Sequence, residues 1–218
     1  MRPRANSNQD KARKHEAIIA ATIRLFERDR KLHTATDIAK EANVGKATLY
    51  SYFKSKDEIY MESLVLNFTK WHEGLRIFIQ TQNTSSDELI TYLCRSITDF
   101  TLFVDLVSLA SVVLEENLET SFLVKARARM RDQSRLSCQV LAQYYKCWSE
   151  EEVKRNLRRF YLYGVALWKE CFPSPQVALA LPPKYSIRAL QRERFFTELH
   201  SMSQLIWSLT NSKSPLAH

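Results

Sequence analysis

Residues 46–56 read Lys-Ala-Thr-Leu-Tyr-Ser-Tyr-Phe-Lys-Ser-Lys. Hydroxyls and ammonium groups at this density suit one chemistry: hydrogen bonds and positive charge given to phosphate oxygens, with aromatic rings lying over sugar. If the stretch is helical, Leu49 and Phe53, four residues apart, share a core-facing side. That leaves Lys46, Ala47, Thr48, Tyr50, Ser51 and Tyr52 facing outward. A lone surface tyrosine is ordinarily partial burial, but a whole set on one short helix is not explained that way. Acid–base, nucleophilic and metal signatures are missing: there is no Gly-rich phosphate loop, no H-E-x-x-H, no G-x-S-x-G and no tight carboxylate pair inside an apolar helix. Neither catalysis nor a bound cofactor or metal is expected.

Charge isolates the same region. Residues 1–56 hold 13 Lys and Arg against 6 Asp and Glu, whereas residues 57–218 hold 19 against 18. Nearly all of the net charge of +8 therefore lies in the first quarter, which implies a polyanionic partner for that segment alone. With 218 residues the chain can bury a sizeable core. Its only glycines are Gly45, Gly74 and Gly164, no proline falls between Pro3 and Pro173, and no hairpin pattern occurs, so the expected class is all-α. Cys94, Cys138, Cys147 and Cys171 show no metal-ligand spacing and read as buried small hydrophobes in a reducing, cytoplasmic setting. The basic N-terminal residues lack the apolar core of a secretory signal. Asp99 and Asp105 interrupt the longest apolar stretch, residues 97–114, so it reads as a buried helix and not as a membrane span.

The elements that must position the hydroxyl-rich stretch follow from periodicity. Ile18, Ala21, Leu25 and Phe26 give a first amphipathic helix from Lys11 to about Arg28. Thr34 with Asp37 forms a capping-box pattern for a short second helix ending near Ala42. Asn43 tolerates the left-handed conformation needed for a sharp turn, Val44 plugs the corner, and Gly45 can cap a third helix from Lys46 to about Phe53. Helix, three-residue turn, helix is the layout whose second helix fits a DNA major groove.

The run TATDIAKEANVGKATLYSYFKSKDEIY, with AIIAATIRLF ahead of it, resembles the DNA-binding domain of TetR-type (TetR/AcrR family) bacterial transcriptional regulators. The resemblance implies that Thr34 and Thr36 touch phosphates, that Lys46, Ala47, Thr48 and Ser51 approach bases or backbone, that Tyr50 and Tyr52 hold phosphates, and that Lys56 grips the backbone. Three positions depart from the family pattern: Asn43 and Ala47 stand where glycine is usual, and Gly45 where Ser or Thr is. The Ala47 methyl lies where the helix would approach the groove most closely, and so bears on base preference.

A long helix from Lys56 to about Gln80, striped with Leu64, Phe68, Trp71, Leu75, Phe78 and Ile79, joins this domain to the rest. Residues 87–117 are too apolar for a surface layer and must be central. A further helix, residues 119–148, carries the basic run Lys125, Arg127, Arg129 and Arg131, which reads as a solvated face. The last two helices bear wide apolar stripes, Leu157, Tyr161, Gly164 and Trp168 on one and Phe195, Leu199, Met202, Ile206 and Leu209 on the other. They read as a dimer face, and the resemblance implies a four-helix bundle with a second copy. It also implies a small-molecule effector, unidentified, in the C-terminal domain, for which aromatic content nominates Phe68, Trp71, His72, Phe100, Phe103 and Tyr144. The Pro-rich connection over residues 172–185 could shape or gate that site.

The expected plan is a basic flexible arm (1–10), a helix-turn-helix DNA-binding domain (11–56, the motif itself about 34–53) and a helical ligand-binding and dimerisation domain (57–212). The expected function is a ligand-released repressor, binding as a homodimer to a near-palindromic double-stranded operator without membrane attachment. The alternative is a helical protein that binds nucleic acid or a membrane surface through charge alone.

Overall fold

The computed structural model describes residues 4–81, 84–99, 101–109, 114–173, 180 and 188–211. Among these there are nine α-helices and no strand: α1 (Arg4–Asp29), α2 (Ala35–Glu41), α3 (Lys46–Tyr52), α4 (Lys56–Thr81), α5 (Ser86–Asp99), α6 (Thr101–Leu109), α7 (Thr120–Tyr144), α8 (Glu150–Cys171) and α9 (Arg188–Asn211), with one 3-10 turn at Glu115–Asn117. The all-α architecture, with two short helices, α2 and α3, between a long first and a long fourth, agrees with the sequence. Residues 4–10, expected as a flexible arm, are helical instead. After Pro3 no proline or glycine occurs until Gly45, so no residue interrupts α1.

The chain divides into two compact units, Met1–Phe68 with Asp105–Met130, and Thr69–Val104 with Arg131–His218. The first unit is built on Ile18, Ile19, Ala21, Leu25 and Phe26 of α1, packed with Ile38 and Ala39 of α2, Leu49 of α3 and Ile59, Tyr60, Met61, Leu64 and Val65 of α4, all buried. The phenol oxygen of Tyr60, fully buried, accepts the His33 backbone N–H at 2.8 Å and thereby ties the α1–α2 connection to α4.

Two non-glycine residues hold left-handed backbone in this unit, Arg30 (φ 52°) and Asn43 (φ 53°). At Asn43 the hydrogen bonds define the turn. Its own N–H reaches the Lys40 carbonyl at 3.1 Å, and the Val44 N–H reaches Ala39 at 2.9 Å, the paired pattern of a Schellman motif with asparagine in the left-handed place. At Arg30 the N–H bonds to the Phe26 carbonyl at 2.8 Å and the guanidinium pairs with Asp105 of α6. Asp105, which interrupts the apolar stretch of α6, is thus ion-paired.

The second unit buries Leu75 and Ile79 of α4, Leu89, Ile90, Leu93, Cys94 and Ile97 of α5, Phe160 and Leu167 of α8, and Phe195, Leu199 and Trp207 of α9. Helix α9 packs most extensively on α8 and α5. A capping box starts α8, Ser149 and Glu152 each bonding the other's backbone N–H at 3.3 and 2.9 Å. Cys94, Cys138 and Cys171 are buried, and burial pushes the first two thiols up to about 11. Cys147, in the turn after α7, is exposed, contrary to the sequence reading. The region expected to gate a ligand site, residues 172–185, falls almost wholly outside the described residues.

The left-handed turn makes a prediction. Asn43→Ala places a Cβ-constrained residue without a compensating side-chain amide at φ 53° and should destabilise the protein by about 1 kcal/mol. That amounts to roughly 2–4 °C in melting temperature. Asn43→Gly should cost little or nothing. Thermal melts followed by circular dichroism distinguish the two variants.

Candidate nucleic-acid interface

Helix α3 is anchored from below by Leu49, which is fully buried, and by Phe53 directly after it. With that side fixed, Lys46, Ala47, Tyr50 and Ser51 are exposed and Thr48 and Tyr52 half-buried, with Tyr50 keeping 47% of its surface in solvent. The outward set inferred from spacing is therefore outward in the fold. Gly45 begins α3 with φ −68° and no side-chain cap, and a Cβ added there would meet only Thr48 Oγ1 at an ordinary 3.7 Å. Glycine is required there neither by backbone conformation nor by close approach.

Two hydroxyls in the set are already engaged. Thr34 is the N-cap of α2: its Oγ1 accepts the Asp37 N–H at 3.2 Å and donates to Asp37 Oδ2 at 2.7 Å. Its hydroxyl hydrogen is engaged in the cap, so Thr34, exposed, positions the start of α2. Those bonds hold the Asp37 carboxyl below its ordinary range. Ser51 Oγ donates to the Thr48 carbonyl at 2.6 Å, a bond within α3 that a better acceptor can replace. Thr36 is exposed beside the cap. Lys56, half-buried, opens α4, where Ser55 Oγ accepts the Glu58 N–H at 3.2 Å and Glu58 accepts the Lys54 N–H at 2.6 Å. Asp57 in the same turn is buried, and desolvation raises its carboxyl above the ordinary value.

Residues that sequence reasoning passed over also border this surface. His15 stacks on Phe53 with ring centroids 4.8 Å apart and planes at 25°, and lies 6.5 Å from the Tyr52 ring. The available signal was the spacing of Lys11, Lys14, His15 and Ile18 at i, i+3, i+4 and i+7, which places all four on one side of α1. Lys54 Nζ pairs with Glu119 at 2.6 Å, a contact between positions far apart in sequence that no local pattern announces.

Of the residues nominated for an effector, Trp71, His72 and Phe103 do come together in the second unit. The Trp71 and Phe103 rings stack at 6.5 Å, His72 meets Trp71 edge-on at 4.8 Å, and Trp71 Nε1 donates to Ser96 Oγ at 2.9 Å. Tyr161, expected at a dimer face, instead lies 6.5 Å from Phe103. His72 is buried, and its Nδ1 shares a hydrogen bond of 2.9 Å with Ser137 Oγ, which also accepts Arg76 at 3.0 Å. Burial, then the Arg76 charge, lowers the His72 imidazole from its ordinary value near 6.5 to about 3, so it is neutral at physiological pH. Tyr144 belongs elsewhere. Its hydroxyl accepts the Thr84 N–H at 2.6 Å, beside an aromatic chain of Tyr145, Trp148 and Trp207. Phe68 falls in the first unit, and Phe100 lies outside the described residues.

Most of the stripe expected at a dimer face is covered within the chain. Leu157, Gly164, Trp168, Phe195, Leu199 and Ile206 are buried within one chain, and Met202 is half-buried. The reason is mutual coverage: a Cβ on Gly164 would stand 3.6 Å from Leu199, and the Trp168 ring meets Phe195 edge-on at 5.1 Å. The Leu209 side chain lies outside the described set. What α8 and α9 leave exposed are Leu162 (54%), Leu190 and Leu205 (52%).

Comparison with known proteins places this geometry. Residues 18–62 match the family described as bacterial regulatory proteins, tetR family, and residues 67–208 match the tetracyclin repressor-like C-terminal domain. Among solved structures, the fatty acid degradation regulator FadR from Bacillus halodurans superposes with a TM-score of 0.55 at 14% identity, over 94% of this chain and 97% of its own. A protein from Mesorhizobium loti assigned to the TetR family of transcriptional regulators gives 0.51 at 14% identity, over 89% of this chain and 96% of its own. At such identities the likeness is one of fold. No curated protein sequence matches the chain. No helix among the described residues is long and apolar enough to cross a membrane.

The neutral His72 sets a pH dependence. Its folded-state value is depressed below the unfolded one, so the unfolded chain binds the extra proton. Stability is full above about pH 6.5 and falls as the pH drops from there towards about 3. At about pH 5 the loss should be on the order of 2 kcal/mol. His72→Gln should flatten this part of the profile, as read from urea midpoints across the pH range.

Proposed function

The chain belongs to the TetR family of bacterial regulatory proteins, and on that basis we propose that it is a homodimeric repressor. It binds a near-palindromic operator through α3 and releases it when a small molecule occupies the second unit. The observation that carries this reading is the outward row of Lys46, Ala47, Thr48, Tyr50, Ser51 and Tyr52 on a short helix whose other side is locked by buried Leu49 and Phe53. A groove-reading helix needs its base-facing side free and its position held by its own domain. In this role Tyr50, Tyr52, Thr36 and Lys56 contact phosphates, Lys46, Ala47 and Thr48 face base edges, and Thr34 holds α2 in register.

One seven-residue helix makes too few contacts for a specific site, so two copies related by a dyad, reading half-sites about one helical turn or a multiple apart, complete the reader. For the pairing surface, the burial pattern favours the sides of α8 and α9 that carry Leu162 and Leu205, since the inner stripes are already covered. For the effector, support comes from the Trp71, His72 and Phe103 cluster, an apolar aromatic setting with a neutral imidazole and a hydroxyl for orientation. Release requires the effector to bind the DNA-incompetent arrangement more tightly than the competent one.

Two experiments test these assignments. With a duplex selected from a random pool, Tyr50→Phe and Lys56→Ala should weaken binding to every sequence alike, and Lys56→Ala, which removes a cation, should also lower the salt slope by about 1. Lys46→Ala or Thr48→Ala should cost about 1–3 kcal/mol and relax the preferred site. If all four acted by one common factor on every duplex, the charge-driven nucleic-acid or membrane-surface reading would replace this one. Separately, Leu162→Glu combined with Leu205→Glu should convert dimer to monomer in analytical ultracentrifugation; an intact dimer would place the interface elsewhere.

A further inference from the structure

Helix α1 begins well before the core it serves. From Gln9 onward, where its side chains are described, Ile18 is the first buried residue, and Gln9 to Lys14, Glu16 and Ala17 are exposed, with only His15 half-covered. The segment over residues 4–17 spans roughly 21 Å at 1.5 Å per residue. It carries no apolar stripe, and a helix of this length has little stability from propensity alone. Its cations Lys11, Arg13 and Lys14 make no ion pair among the described residues, although the acids Asp10 and Glu16 are close in sequence.

Position gives this segment a use. The His15 stack on Phe53, with Tyr52 beside it, fixes the emerging part of α1 at the C-terminal end of α3, so the segment continues the candidate DNA surface. Lys11 and Lys14 share the His15 side of α1 by helical period, one turn further out. We propose that this extension is a second DNA-contacting element, in which Lys11 and Lys14 bind backbone phosphates of the duplex flanking the half-site held by α3. The proposal rests on α3 being the DNA-reading helix. From the His15 anchor Lys11 lies about 6 Å further along the helix, about two base-pair rises of 3.4 Å, so the phosphates it meets adjoin the outer end of the half-site. The contact is to backbone because an ammonium on a flexible stem serves as a point charge for phosphate without reading a base pattern.

The test uses the full chain and the double variant Lys11→Gln/Lys14→Gln. Both positions are exposed, so helicity should be unchanged, and circular dichroism checks this. Affinity is measured over a salt series on the selected core duplex and on the same core extended by one helical turn of arbitrary sequence at each end. The wild-type protein should bind the extended duplex more tightly and with a steeper salt dependence. The variant should lose that gain, binding the extended duplex on the order of tenfold more weakly, with a slope shallower by about 2 per protomer and an unaltered sequence preference. Wild-type affinity and slope in the variant on both duplexes would overturn the proposal, and so would an equal loss on core and extended duplexes, which would put the contacts inside the half-site. Lys56→Ala run in parallel separates the two readings. If it weakens binding while the double variant does not, only the extension fails; if neither has an effect, the assignment of the α3 surface fails with it.

Discussion

A helix of seven residues cannot hold itself in water, and the arrangement of the first unit follows from that limit. Helix α3 contributes one fully buried side chain, Leu49, and its successor Phe53 contributes another. Everything else that keeps its outward row in place comes from neighbours: the turn after α2, the apolar side of α1, and the first turns of α4. The Tyr60 hydroxyl on the His33 N–H belongs to the same scheme, because it ties α4 to the segment that leads into α2. The placement of α3 is therefore a property of the whole unit, and a change at Tyr60 or Asn43 reaches its outward row without touching it.

The reversals in that unit are made without glycine. Among the described residues no glycine has positive φ, while Arg30 and Asn43 do. At Asn43 the side chain suits the conformation, and two backbone bonds close the turn. At Arg30 nothing about the side chain favours it, and the conformation costs on the order of 1 kcal/mol relative to glycine. The guanidinium paired with Asp105 accompanies that cost, and it is a contact a glycine could not make.

The second unit treats polarity differently. Two of its buried hydroxyls bond back to their own helices, Thr98 to Cys94 and Ser203 to Leu199. Around His72 the pattern changes, because Ser137 and Arg76 join side chains from two helices within an aromatic surround. Helix-to-helix polar bonding in an apolar interior restricts the packing to one arrangement and leaves the imidazole uncharged.

Local information was enough for the helices and for the outward row of α3. Period and capping signals located α2, α3 and the start of α4, and the four-residue separation of Leu49 and Phe53 sorted inward from outward positions, because a helix of known phase leaves no freedom about which side a residue occupies. Wherever the outcome depended on what another element covers, the sequence was silent. An apolar stripe on α8 or α9 is the same stripe whether it meets its own chain or a second copy, and only packing showed Gly164 against Leu199 and Trp168 against Phe195. The charge of Asp105 and the ring of Tyr144 were likewise legible as chemistry but not as partnership. Burial and pairing join positions distant in the chain, so periodicity determined the faces and tertiary structure decided what each face meets.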